Sequence, residues 1–295
     1  MGAFDAFADI PPDTTSPWSN GAYRPNIEQL QLLLSKCVVG GKWSESQGGA
    51  VGAALDLWVA RELRRAGYED DAVWPREQDP RVLPASVARA VRKLSKTDKT
   101  SHVVERIVKH AGSAGPSVFG EFFGKSVDVL VADWDRGVEV MVSTKGMTSS
   151  FGKNLTNRWE EFAGDLRNLR GRFPLAVLGI TYMSDAKVVK VPKTFARMLD
   201  MLRKLRMETA PSRAYDAATL ILASPTEDGV RLELDQVPED LHPGQFFDAV
   251  LSRAFERLPV SERDQARRLY GGRALPTAEA QPADGPKGPE PDAEA

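Results

Sequence analysis

The stretch KSVDVLVADWDRGVEVMVSTKG, Lys125 to Gly146, decides the fold. It holds two runs rich in β-branched residues on either side of Trp134-Asp135-Arg136-Gly137, the pattern of an antiparallel hairpin. With 134–137 read as a four-residue turn, Asp133 faces Val138 and Asp128 faces Ser143. Side chains alternate along a strand, so Asp128, Ser143 and Lys145 project to one side. The second strand is apolar through Val138–Val142 and then ends in Ser-Thr-Lys. An acid and a lysine side by side at the open end of a hairpin are costly in a core and fitting in an active site.

Working outward, residues 1–25 contain PPDTTSPWSNGAYRP and read as an irregular arm. Helices are expected at Ile27–Leu34, in SQGGAVGAALDLWVARELRRAGY ending near Gly67-Tyr68, at Ala85–Leu94 and at Ser101–His110. Gly48, Gly49 and Gly52 offer room for another backbone. After the hairpin come a helix at Asn154–Leu169 stopped by Gly171 and Pro174, and a strand at Leu175–Met183. TFARMLDMLRKLRM reads as a helix, ATLILAS and VRLELDQV as strands, and GQFFDAVLSRAFERL as a last helix. This order predicts one α/β domain, 26–273, with a mixed central sheet flanked by helices. Its helical part is 26–112 and its catalytic core 113–273.

Composition bounds the class. A hydrophobic share of 42% with 27% charged residues is that of a globular protein. The single Cys37 excludes an internal disulfide and suits a reducing, cytoplasmic setting. No apolar run is long enough to span a membrane, and the N-terminus lacks the pattern of a secretory signal. Residues 274–295 carry five acids against one lysine among Pro, Ala and Gly, and read as a disordered acidic tail. Between Arg81 and His110, eight Lys/Arg face two acids. No P-loop, dinucleotide-binding or triad signature occurs, so no nucleotide cofactor is expected.

Carboxylates that hold a hard divalent cation against a scissile phosphate, with a lysine to orient water, make up the chemistry of phosphodiester hydrolysis. The hairpin resembles the signature of the PD-(D/E)XK, restriction-endonuclease-like nuclease superfamily, an Asp on one strand and acid-x-Lys on the other. Here these are Asp128 and Ser143-Thr144-Lys145. Val127 stands where the superfamily commonly has Pro, and Ser143 stands where the second carboxylate belongs. Glu139 shares the face but lies four residues back, about 13 Å along the strand, too far to share a metal with Asp128. A subset of restriction endonucleases is similar, with Ser/Thr-x-Lys on the strand and the carboxylate moved to the next helix. Glu160 and Glu161 follow Lys145 by 15 and 16 residues. Glu160 fits the spacing and Glu161 shares its helix face with Asp165, so both remain candidates. Leu155, Trp159, Phe162, Leu166 and Leu169 form that helix's apolar stripe, and Asn154, Asn157, Glu161, Asp165 and Asn168 its polar side. The plain alternative for the acids is a solvated face paired with Arg158 and Arg167.

The helix in SQGGAVGAALDLWVARELRRAGY also resembles the superfamily's first helix, which would make Asp56, or failing it Glu62, an accessory acid. The alternative for Asp56 is contact with the helix dipole or Arg61. The resemblance spans about Gln47 to Met183. It implies a restriction-endonuclease-like fold and Mg²⁺-dependent cleavage of double-stranded DNA, with Mn²⁺ able to substitute. A homodimer or homotetramer and a role in restriction or phage defence are implied with it. Asp128 with Glu161 or Glu160 would ligate metal, Lys145 would position water, and Ser143 would orient the site by hydrogen bonding. Arg89, Arg92, Lys93, Lys96 and Lys99 become candidates for phosphate contacts. Two other readings stay open: a catalytically silent DNA-binding protein of the same fold, and a repair or junction nuclease.

Overall fold

The computed structural model describes residues 4–44, 49–77, 85–95, 102, 106, 115–133, 136–207 and 214–258. Its centre is a mixed six-stranded sheet. In chain order the strands are β1 Trp18–Ser19, β2 Ala22–Tyr23, β3 Val38–Val39, β4 Lys42–Trp43, β5 Val73–Trp74, β6 Ser117–Phe119, β7 Gly124–Ser126, β8 Val129–Asp133, β9 Gly137–Met147, β10 Val177–Asp185, β11 Ala217–Thr226 and β12 Gly229–Leu232. The large sheet runs β12-β11-β10-β9-β8-β5, while β1-β2, β3-β4 and β6-β7 are two-stranded ribbons. Strand β10 is parallel to both β9 and β11, and the remaining pairs are antiparallel. Every residue of β10 is buried, as expected of a central strand covered on both faces.

Helices cover both faces. On one lie α1 Ile27–Ser35, α2 Ala50–Arg65 and α6 Pro243–Glu256, packed with Val129, Val131, Val140 and Val142. On the other lie α4 Phe151–Arg172 and α5 Pro192–Leu205, packed with Leu130, Met141, Ile180 and Tyr182. The remaining helix, α3, is Ala85–Ser95. No helix among the described residues is long and apolar enough to cross a membrane.

Several expectations change. The hairpin closes on Asp133↔Gly137, not on Val138, and a bulge follows: Ala132 pairs with Val138 but Val131 with Val140. The extra residue, Glu139, restores the expected register below it, Val129 opposite Val142. Asp128 lies one residue before this ladder, which ends at Val129 opposite Val142. The strand expected at Leu175–Met183 is Val177–Asp185. VRLELDQV pairs only at β12 before a 3₁₀ turn at Leu234–Gln236. Helix α4 ends at Arg172, near Gly171 and Pro174 as expected, and the Glu121 side chain packs where a Gly171 Cβ would be. Trp159, assigned to the apolar stripe, is 37% exposed.

Residues 4–25 are short in regular structure yet packed. Phe7 and Tyr23 are fully buried, the latter against Phe247 with ring centroids 5.0 Å apart. Arg61 and Arg65 of α2 donate to the backbone carbonyls of Ile10 and Thr15. The helix expected at Ser101–His110 lies outside the described residues except for positions 102 and 106, both helical, and the tail 274–295 lies outside them altogether.

Candidate active site

Strand β9 runs past the end of β8 at Ser143-Thr144-Lys145 while still pairing with β10, and its pleat divides these side chains between two helices. Lys145 lies on the α4 side, where Met141 and Met147 pack. Thr144 lies on the α2 side with Val142. The next residue sets how close α2 comes: a Cβ on Gly146 would sit 2.6 Å from the Val51 side chain. The close approach foreseen for Gly49 and Gly52 is thus made from the strand; a Cβ at either would meet nothing within 4 Å.

Asp128, just before β8, reaches both halves. Its Oδ2 accepts from the Thr144 backbone N–H at 2.9 Å and lies 3.4 Å from Lys145 Nζ. On the other side Lys145 Nζ is 3.3 Å from Glu161 Oε1. Arg158, one turn earlier on α4, ion-pairs with the second Glu161 oxygen. Toward α2, the Thr144 hydroxyl donates to Asp56. Asp56, Asp128, Thr144, Lys145 and Arg158 line an open cleft of about 430 Å³ together with Trp43, Gly49 and Gly52, and Glu161 reaches Lys145 from outside that lining.

Burial raises the Asp56 carboxyl well above the usual range, and the Asp128 charge adds to it; the Thr144 bond and Lys145 only partly offset this. Burial pulls the Lys145 ammonium down, but Asp128 and Glu161 outweigh it and hold it above the ordinary lysine value. Burial raises Glu161, yet Lys145 and Arg158 leave it below the ordinary glutamate value. The lysine is thus a retained cation between two carboxylates, with a third, strained carboxyl behind them.

Of the sequence candidates, Asp128, Lys145, Glu161 and Asp56 come together. Glu160 does not: it is exposed and carries no ion pair among the described residues. Ser143 is buried, and no hydrogen bond of its hydroxyl occurs among the described residues; Thr144 makes the orienting bond instead. Asp165 is one turn beyond Glu161 but pairs with Lys125 at 2.6 Å, and burial raises its carboxyl despite that partner. Glu62 is a structural acid, bonded to Tyr23, Asn26 and Arg65. Arg61, offered as a partner for Asp56, binds Glu77 instead. Arg89 makes a surface pair with Glu69 at 3.8 Å and Lys93 is exposed. The Arg92 side chain, Lys96 and Lys99 lie outside the described residues.

Sequence reasoning missed Thr144 and Lys125. The alternation that put Lys145 on one face put Thr144 on the other, and that was the signal to follow. Nothing local pointed to Lys125, whose partner lies 40 residues away on α4. Among the described residues no group of three or more His, Cys, Asp or Glu side chains is arranged to hold a metal ion. The chain was compared with family models, curated proteins and solved structures, and no match was found in any of the three.

Proposed function

We propose that this chain is a Mg²⁺-dependent DNA endonuclease of restriction-endonuclease-like fold, hydrolysing phosphodiester bonds of double-stranded DNA in restriction or phage defence. The observation that carries the reading is the meeting of Asp128, Lys145 and Glu161 near one strand end, with Asp128, Lys145 and Asp56 lining an open cleft. Asp128 and Glu161 would hold the cation, with Asp56 adjoining, and Mn²⁺ would substitute. Such a cation takes one or two protein carboxylates and completes its shell with water and phosphate oxygens, so a three-residue cluster is not required. The donor set fits: Asp56 and Asp128 repel each other, a strain that positive charge relieves. When bound, the cation neutralises charge developing on the phosphate.

The chain's own groups do the positioning. Lys145 stays protonated at neutral pH, so it orients water and offsets charge and does not act as the base. Water oxygen bonds to phosphorus, the ester P–O bond breaks, and the departing oxygen takes a proton. Cutting both strands needs two such sites, hence a homodimer or homotetramer.

A silent DNA-binding protein is the second reading, favoured by Ser143 in place of an acid and by Lys145 already paired to both carboxylates. Purified protein incubated with long linear DNA and supercoiled plasmid, in Mg²⁺, Mn²⁺ or EDTA, separates them. Discrete metal-dependent fragments that vanish in Asp128→Ala and Lys145→Ala support the nuclease. Nicking or smearing turns the reading to repair of branched or damaged DNA. A gel shift without cleavage, unchanged in both variants, establishes the silent binder.

A further inference from the structure

The ribbon β6-β7 precedes Asp128 and displays three phenylalanines that nothing in the proposed site uses. Phe119, Phe122 and Phe123 are 75%, 58% and 52% exposed. An apolar cluster held in water on so short a turn marks a contact surface. It is also held firmly. The Asn168 side chain accepts from the Phe122 and Phe123 backbone N–H groups at 2.9 and 3.2 Å and donates to the Phe123 carbonyl at 3.1 Å. The Asn168 carbonyl accepts from Glu121 N–H at 2.8 Å. Gly120 has no room for a Cβ, since Asn168 fills the space. Lys125 then pins the ribbon to Asp165.

The stripe of α4 that anchors the ribbon also builds the candidate site. Glu161 meets Lys145, Asp165 meets Lys125 and Asn168 meets the aromatic turn. Seven residues of helix separate the first from the last, about 10 Å along the axis. By the strand route, Phe123 to Asp128 is five residues, about 16 Å if extended. Base steps rise about 3.4 Å, so these path lengths correspond to about three to five steps from a phosphate that would lie beside Lys145. Charge favours nucleic acid: the Arg167 guanidinium lies over the Phe122 ring, 5.6 Å from its centroid. The loop's acid, Glu121, folds back against Gly171.

We infer that Phe119, Phe122 and Phe123 form an aromatic wedge that contacts and unstacks DNA bases three to five steps from the cleavage point. This rests on the nuclease reading for its partner. Aromatic wedges of this kind exchange unstacking energy for a bent duplex with more contact, and each base stacked on an aromatic ring strengthens binding severalfold or more.

The test is permanganate footprinting of unstacked thymines on long duplex DNA in EDTA, with binding by gel shift and mass by sedimentation. Wild type and the triple Phe→Ala variant are compared. The expected result is enhanced thymine reactivity with wild type, its loss in the triple variant, and binding weakened by about fivefold or more. Equal footprints and affinities for wild type and triple variant overturn the wedge, while cleavage in Mg²⁺ tests the nuclease reading separately. A triple variant that loses oligomeric mass but not DNA affinity makes the patch a subunit contact and also overturns it. Wild type that binds no DNA removes both readings. Retained circular dichroism of the triple variant shows that these exposed residues do not carry the fold.

Discussion

Glu160 and Glu161 are neighbours in sequence, yet only one can serve Lys145. A helix turns about 100° per residue, so the two carboxylates leave α4 in different directions. Glu161 approaches Lys145 and Arg158, whereas Glu160 is exposed. Under the proposed nuclease function, Glu161→Ala should therefore lower DNA cleavage by about 10²–10³-fold, the range for losing one preorganised electrostatic group, while Glu160→Ala should stay within about twofold. Initial rates on one plasmid substrate decide the matter. Equal losses in both variants would place the second carboxylate elsewhere. The spacing after Lys145 allowed either residue, and only the packing of Phe162 and Leu166 beneath the helix fixes its rotation.

At the scale of elements, the site depends on how closely α2 rides on β9. Gly146 removes the one side chain that would hold them apart, and Asp56 comes within reach of Thr144 as a result. Gly146→Ala should push against Val51, cost about 1–3 kcal/mol as overpacking does, and reduce activity by displacing Asp56. Val51→Ala in the same chain should restore much of both, a coupling that urea unfolding of the four-member mutant cycle would reveal. Simple additivity of the two changes would show that the contact does not set the helix position. The hairpin and the long helices were legible because alternation and 3.6-residue spacing act locally. The bulge at Glu139 was not, since no residue type marks it, and it left the register at Val129 as expected by compensating a misplaced turn. Two-residue strands such as β5 are too short to carry a period. The burial of Phe4, Phe7 and Ile10 in a Pro-rich arm depends on distant partners in α1 and α2, so the arm reads as irregular in sequence. Asp56 was visible as an acid in a helix, but its meeting with Thr144 is tertiary.

At the scale of the whole molecule, the sheet is tied at the strand ends remote from the cleft by one carboxylate, Asp216. Asp216, just before β11, accepts from Arg170 of α4 at 2.7 Å, from Arg257 after α6 at 2.7 Å and from the Leu178 N–H of β10 at 2.8 Å. It thereby joins helices from both faces of the sheet to its central strands. Burial raises the Asp216 carboxyl, but Arg170, the Leu178 amide and Arg257 outweigh it and hold its pKa below the usual value of 3.8. A group whose folded pKa is depressed contributes stability above its unfolded pKa and loses it as pH falls through the folded value. The Asp216 contribution should therefore be whole at pH 7 and fade below about pH 4. Asp216→Asn leaves the buried Arg170 guanidinium without its counter-charge, a defect worth about 3–5 kcal/mol. Urea unfolding of both proteins should show that gap at pH 7 and a smaller one at pH 3, where the carboxyl of the unfolded chain is already largely protonated. A gap that persists undiminished at pH 3 would mean that shape and hydrogen bonding, not charge, hold the two helical layers together.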